Sequence, residues 1–529
     1  MLVYSSSSLT VVAAWTIVVS KVAVWAIMVS KSEVVSVVVL EVGAATLVVV
    51  SKEVLESNTP RGLRKLPSPP GRRFYFGHFF QLGPEPHKKF TEWARSLGDI
   101  YGVYMGQQYW VILTGDKVVG ELLQKRGAKY SSRSPNYYSF ELLYRNKGFN
   151  SSPYNERYRM LTPLVHGILG QRNIKENSDI IDNEYRILIQ NLCKDSENTK
   201  DGFYPKTYFH HAAFNIIALF CWGKRTENCE SSIYKEFGGL IDAQLYLVAT
   251  TNRVSSFFPI LKWLPKNKLY NMVIKSRTEA ETFFEKIIKD VKEDKEKRPC
   301  AIRDMLNKIN EGILDDEYDI IHDSVASSLT WLTAVLANHP EIQAKAHQEL
   351  DQVIGQTRLP KISDEPNLHY IRAIIKEGQR YCGPVYLSVP HYIEEDDDYN
   401  GYHIPANSAV VINSYGIHMD EKRYENPKEY NPERFLGIKE SSAMLANGNC
   451  EYRDHFGFGA GRRLCTGIHL AERELFMGIS HLLWCFRIEN ASPLGKDGRP
   501  IPIGLDIERF SITVWPKNYR VRFVKRHDN

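Results

Sequence analysis

The stretch that most constrains this chain is FGFGAGRRLCTGIHLAERELF, residues 456–476, where one cysteine stands between a run of glycines and arginines and the opening of a helical pattern. A cysteine binds a metal as the thiolate, and a helix N-terminus offers unpaired N–H groups and a positive dipole end to an anion. Cys465 has that position. After it Ile468, Ala471, Leu475, Ile479, Leu482 and Phe486 recur at steps of three and four, which predicts a helix with one buried face. Before it Gly457, Gly459 and Gly461 let the backbone pass close to a flat, bulky ligand, and Arg462 and Arg463 add positive charge beside any acidic groups on it. A zinc site or an iron–sulfur cluster needs about four ligands, and this stretch offers only His469 beside Cys465, so neither fits. A thiolate-ligated haem needs only one.

The remaining cysteines (Cys193, Cys221, Cys229, Cys300, Cys382, Cys450, Cys485) are scattered, with no C-x-x-C pair, which suits a reducing compartment and reads as small buried hydrophobes. A net charge of +5 is too small for a nucleic-acid binder, and no basic block interleaved with aromatics occurs, so no nucleic-acid partner is expected. Helical spacing dominates from residue 76 onward, for instance in TEAETFFEKIIKDVKEDKE, SLTWLTAVLANHPEIQAKAHQELDQVIG and LHYIRAIIKEGQRY. Strand signals are fewer: YGVYMGQQYWVILTG, YNGYHIPANSAVVINS with Asn400-Gly401 as a hairpin turn, and RFSITVWPKNYRVRFVKR near the end. With no repeat and no linker, residues 76–529 are expected to form one large, mainly α domain with small peripheral β-sheets.

Ahead of it lies an apolar segment, residues 1–55. Residues 11–30 match the roughly 20 helical residues that span a bilayer core, and Lys21 in their middle is offset by the surrounding Val and Ile. Residues 34–50 carry the same flaw at Glu41, so one anchor is expected, with a two-span hairpin as the alternative. Arg61, Arg64 and Lys65, followed by LPSPPGRR, make residues 56–75 a basic, proline-rich hinge that keeps the body on the cytosolic side.

The loop FGFGAGRRLCTG resembles the haem-binding loop of the cytochrome P450 family, whose pattern F-x-x-G-x-R-x-C-x-G is met by Phe458, Gly461, Arg463, Cys465 and Gly467. The resemblance implies haem b (iron protoporphyrin IX), with Cys465 as the axial iron ligand and Arg463 on a propionate. Two further motifs agree in order. KEGQR supplies Glu377 and Arg380 and NPERF supplies Arg434, which in the family join in a buried triad, a structural clamp more than a catalyst. Between them VPHYI resembles the strand whose histidine, here His391, reaches a propionate. HHAAFNIIALFCWGKR resembles a helix of fungal members; the adjacent His210 and His211 project differently and do not chelate one metal.

Three stretches depart from the family pattern. The long central helix ordinarily carries a small residue and a glycine before an acid and a threonine, and here the places read Ile320, Ile321, His322, Asp323 and Ser324. The acid and a hydroxyl survive to relay protons to oxygen, while the small residues do not, and the helix is shorter by about two turns. In PYNERYRMLTPLVH, Tyr158 and Thr162 stand where the family has Trp and Arg on a propionate. Tyrosine keeps a hydroxyl donor, and threonine brings no charge. RYCGPVYLSVP replaces the usual aromatic–Arg–Pro, a minor change. The resemblance implies a mono-oxygenase of the endoplasmic reticulum membrane, its catalytic domain facing the cytosol. NADPH-cytochrome P450 reductase would supply electrons, O2 the oxygen, and the substrate would be a lipophilic small molecule, a secondary metabolite, that is hydroxylated, epoxidised or oxidatively coupled. The altered central helix leaves two rival readings: a haem-thiolate enzyme that rearranges peroxides or dehydrates, and a haem-binding paralogue without catalysis.

Overall fold

In the computed structural model, the description covers residues 59–527 except 200, 255–256, 259–267, 297, 311–323 and 509. The apolar segment 1–55 and Asp323 therefore lie outside the described residues. Among the described residues no helix is long and apolar enough to cross a membrane.

Residues 66–397 and 404–529 make one unit. Its centre is the helix Val325–Asn338, whose residues 325–337 are all buried, as a helix apolar on every side must be. Its hydroxyls are satisfied locally, Thr330 and Thr333 donating to the carbonyls of Ala326 and Leu329, while Ser327 and Trp331 both donate to the carbonyl of Val514. Around it pack the helices Ser178–Asn198, Lys206–Trp222, His369–Cys382 and Ile468–Cys485, joined in one apolar core.

The helix after Cys465 runs from Ile468 to Cys485, but it is not one-sided: from Glu474 to Trp484 every residue is buried, because the central helix and the helix Ser178–Asn198 close its other faces. Phe486 has left the helix and opens the strand Phe486–Asn490, antiparallel to Val521–Lys525. The strand signal at 510–516 is not realised as a strand; that stretch is a loop whose backbone serves the central helix at Val514. His210 and His211 have separate partners, the Tyr234 hydroxyl and the Thr226 hydroxyl.

A five-stranded sheet stands beside the helices. Ile100–Met105 pairs antiparallel with Gln108–Leu113, which runs parallel to Ser408–Ile412; His391–Ile393 and then Ser132–Arg133 follow, each antiparallel to its neighbour. The register sets Arg133 opposite His391. Partners opposite each other on antiparallel strands project to the same face, so this edge presents two basic side chains side by side. A small second unit joins the described residues up to Lys65 with Asp398–His403, where Arg64 pairs with Tyr402 and the turn Asn400-Gly401 has φ of 51° and 76°, the hairpin geometry that this dipeptide favours.

Glu377 and Arg380 are fully buried on the helix His369–Cys382. Arg380 grips the carboxylate with two bonds, Nε to Oε2 at 2.6 Å and Nη2 to Oε1 at 2.7 Å, and Arg434 reaches Oε1 at 3.4 Å. Removing one member of a buried ionic group leaves the others uncompensated, at a cost of about 3–5 kcal/mol. Glu377→Gln is therefore expected to lower the unfolding free energy by about that amount, read as a shift of the denaturant midpoint with unchanged slope.

His87 is fully buried among the rings of Tyr386, Tyr415 and Phe510, with neither ring nitrogen hydrogen-bonded. Burial, with the charge of Lys88 adding to it, pushes its pKa from 6.5 down to about 3. Between these values the unfolded chain binds a proton that the folded chain does not. The contribution is therefore complete above pH 6.5 and falls by up to about 1.4 kcal/mol per unit as the pH drops toward 3. His87→Phe is expected to flatten that acid limb in pH-dependent denaturation.

Candidate haem-thiolate site

Residues 453–467 reach Cys465 with almost no regular structure, and the loop is fixed from outside. Gly461 has φ +69°, and a Cβ there would lie 1.9 Å from the carbonyl oxygen of Leu123, so any side chain would collide with fixed backbone. The amide of Cys465 donates to the carbonyl of Phe458 at 2.9 Å, closing the turn that carries the sulfur. Cys465 precedes Gly467, the N-cap of the following helix, so the expected placement at a helix N-terminus holds. Phe458 packs on Ala443, Ala446 and Ile468.

Two contacts tie this loop to the helix of the buried clamp. Lys376 forms a buried ion pair with Asp454 at 2.5 Å, shared with the Ser442 hydroxyl. Arg380 donates to the carbonyl of His418 at 2.9 Å, and His418 Nε2 accepts the amide of Phe456 at 2.7 Å, which requires the Nδ1–H tautomer. Burial and the surrounding cations hold His418 neutral, well below its ordinary value. Glu377, Arg380 and Arg434 thus sit behind the loop, as the family pattern implies.

Cys465 opens on the interior. Two cavities of about 290 and 300 Å³ meet around it, sharing Arg133, Tyr144, Gly148, Asn150, Arg463 and Cys465 in their walls. Burial raises the thiol pKa and the Gly467 amide opposes that rise, so deprotonation calls for a further positive partner such as a metal.

The walls around the sulfur are strongly positive. Arg463 donates to the carbonyls of Ser131, Phe149 and Ser152, and Arg133 to those of Asn150, Val389 and Pro390. Both guanidinium groups meet only neutral acceptors, and among the described residues neither has a carboxylate partner. Burial together with the charge of Arg463 pulls Arg133 down to about 9, and burial also lowers Arg463. His391 donates its Nδ1–H to the carbonyl of Tyr130, 2.8 Å away, and burial beside Arg133 takes its pKa to about 3. Two buried cations and a neutral imidazole lie around a thiol, and the acid in the cavity wall, Glu281, is already taken by Arg145 and Arg277, which fits a flat, dianionic, metal-bearing ligand. The residues present therefore suit a haem.

Arg133 has no place in the family pattern read from the sequence; only a lone arginine in SSRSP signalled it, and the strand pairing with His391 reveals its role. Lys376 and Asp454 were equally hidden, because both read as surface charges. Tyr158 is placed differently from expectation. Its hydroxyl, at the tip of the ring, reaches past the cavity to the carbonyl of Arg462 at 3.4 Å, and its ring face carries the Arg463 guanidinium at 3.6 Å. Thr162 donates back to the carbonyl of Tyr158 at 2.7 Å and is not part of the cavity wall. Ser324 lies just before the central helix in the wall of the second cavity, beside Val325 and Ser328.

The fold and the site define a haem-thiolate protein. The description of the cytochrome P450 family matches residues 67–514. The cytochrome P450 monooxygenase yanC of Aspergillus niger is 30% identical over 477 residues, covering 85% of this chain and 87% of the relative. The cytochrome P450 monooxygenase atE of Aspergillus terreus is likewise 30% identical over 477 residues, covering 86% and 87%. A solved zebra fish cytochrome P450 with progesterone overlays with a TM-score of 0.67 at 22% identity, covering 83% of this chain and 99% of the other. The chain belongs to the cytochrome P450 family; it is an oxidoreductase of the monooxygenase type that uses iron protoporphyrin IX. Accordingly Cys465→Ala is expected to abolish the thiolate-type ferrous–CO Soret band, whereas Cys485→Ala, distant in the core, leaves it in place. Absorbance spectra of the reduced, CO-treated proteins check this.

Proposed function

We propose that this protein inserts one atom of O2 into a lipophilic small molecule, a fungal secondary metabolite, using electrons passed from NADPH by cytochrome P450 reductase at the endoplasmic reticulum membrane. When bound, haem supplies the redox chemistry that activates oxygen, and Cys465 is the residue that holds its iron. The observation that carries the reading is the meeting of two largely apolar cavities at one thiol, beside the buried cations Arg133 and Arg463, which have no carboxylate partner among the described residues. Arg133, Arg463 and His391 orient the cofactor by its carboxylates.

The chain's own residues divide the remaining work. Val325, Leu475, Ile512 and Val389 give the second cavity an apolar lining that excludes water and favours a lipophilic substrate. Ser324 is the hydroxyl in that wall nearest the start of the central helix, and with Asp323 it would pass protons toward the oxygen-binding side. Arg462, exposed on the outer side of the Cys465 loop, stacks near Tyr154 and offers a positive contact to an acidic electron donor. The segment 1–55 would anchor the enzyme with its body in the cytosol.

With reductase and a turned-over substrate, oxygen uptake is expected to depend on NADPH, and Ser324→Ala is expected to lower product per NADPH consumed about tenfold or more while raising hydrogen peroxide release. Turnover that needs neither NADPH nor O2 would instead establish the peroxide-rearranging reading.

A further inference from the structure

Haem carries two carboxylates, and the family pattern brings cations to them from several elements, one being the arginine four residues after the tryptophan. That arginine is Thr162 here, whose hydroxyl is turned back to its own helix. A neighbouring side chain on the same helix is in an unusual state. Arg157 lies in the first turn of Glu156–Leu169, where the helix dipole disfavours positive charge. It is partly buried, its Nε is shut off from solvent, and that atom has no hydrogen-bond partner. Among the described residues no carboxylate pairs with it. It lines the same cavity as Arg133, Arg463 and Cys465; the wall's carboxylate, Glu281, is held by Arg145 and Arg277, so Arg157 adds its charge to a wall in which Arg133 and Arg463 already repel.

A guanidinium in that setting, without a counter-ion from the protein, is placed for an anion from elsewhere. We infer that Arg157 replaces the missing arginine at position 162 and binds a carboxylate of the haem. The helix thus keeps its positive contact while shifting it from the later turn to the first, and Tyr158, no longer needed as a donor into the cavity, bonds the Cys465 loop. The inference rests on the haem assignment, which the Cys465→Ala spectrum tests separately.

The experiment follows release of ferric haem from the full-length protein to excess apomyoglobin by absorbance, without substrate or reductase, and measures the ferric/ferrous midpoint potential. Arg157→Gln is expected to release haem about tenfold faster, the effect of losing one charge-assisted contact, and to move the midpoint to more negative values, because an uncompensated carboxylate favours the ferric state. Arg159→Gln, exposed on the same helix, is expected to match the wild type, and Arg157→Gln combined with Thr162→Arg to recover slow release. The rescue separates charge at the carboxylate from damage to the helix. Unchanged release in Arg157→Gln overturns the inference, as does fast release that Thr162→Arg fails to correct. Unchanged release with weakened binding of a carboxylate-bearing substrate would assign Arg157 to substrate and overturn it equally.

Discussion

One sulfur can hold an iron in place only if the backbone that carries it does not move, and here that backbone is an irregular loop with little hydrogen bonding of its own. Its rigidity is borrowed. The helix His369–Cys382 reaches it twice, through the Lys376–Asp454 ion pair and through Arg380, His418 and the amide of Phe456. Arg380 can serve that chain because Glu377 neutralises it with two short bonds at zero exposure. The clamp residues line neither cavity, yet the position of Cys465 depends on them. Apolar replacements of similar volume would be as stable or more so, so what the ionic group contributes is a fixed geometry with every donor directed.

The cavity side obeys a different rule. Buried charges ordinarily come paired, and the cations around Cys465 do not: their donors go to backbone carbonyls, which satisfy hydrogen bonds and leave the net charge uncompensated. Arg133 shows the strain in its lowered pKa, and His391 relieves it by remaining neutral. Electrostatics of this sign disfavour the folded protein alone and favour it with a dianion bound. Haem binding and folding are therefore coupled through these residues, over and above the iron–sulfur bond.

Much of this was legible in the sequence, for reasons that differ by residue. Cys465, Gly461 and Phe458 belong to one short motif whose spacing is dictated by the local turn, and the collision awaiting a Cβ at Gly461 explains why glycine stands there. Glu377, Arg380 and Arg434 were found as motif members although, read one at a time, they look like surface charges. Arg133 and His391 are separated by more than 250 residues and meet only because their strands pair, a fact no local pattern contains. The one-sided helix expected after Cys465 proved buried all round, since periodicity reports the most apolar face and not how many neighbours surround it. Tyr158 matched its position in the pattern but not its task, because a phenol hydroxyl sits farther from the backbone than an indole nitrogen and finds the Arg462 carbonyl first.

The two sides of the site are thus secured very unequally. Below the cofactor position, a motif, a buried clamp and an ion pair all constrain one atom. On the substrate side the described residues supply an apolar wall and, at the head of the central helix, the Ser324 hydroxyl. A serine is less restricted than a threonine at that place, because without a branched Cβ its χ1 is free to turn between substrate and helix. Proton delivery through such a group is sensitive to what fills the cavity: a substrate that packs against Val325 and Ile512 would hold the hydroxyl in line, and a small one would not. Substrate fit and coupling efficiency should therefore rise and fall together in this enzyme more steeply than in relatives that carry threonine.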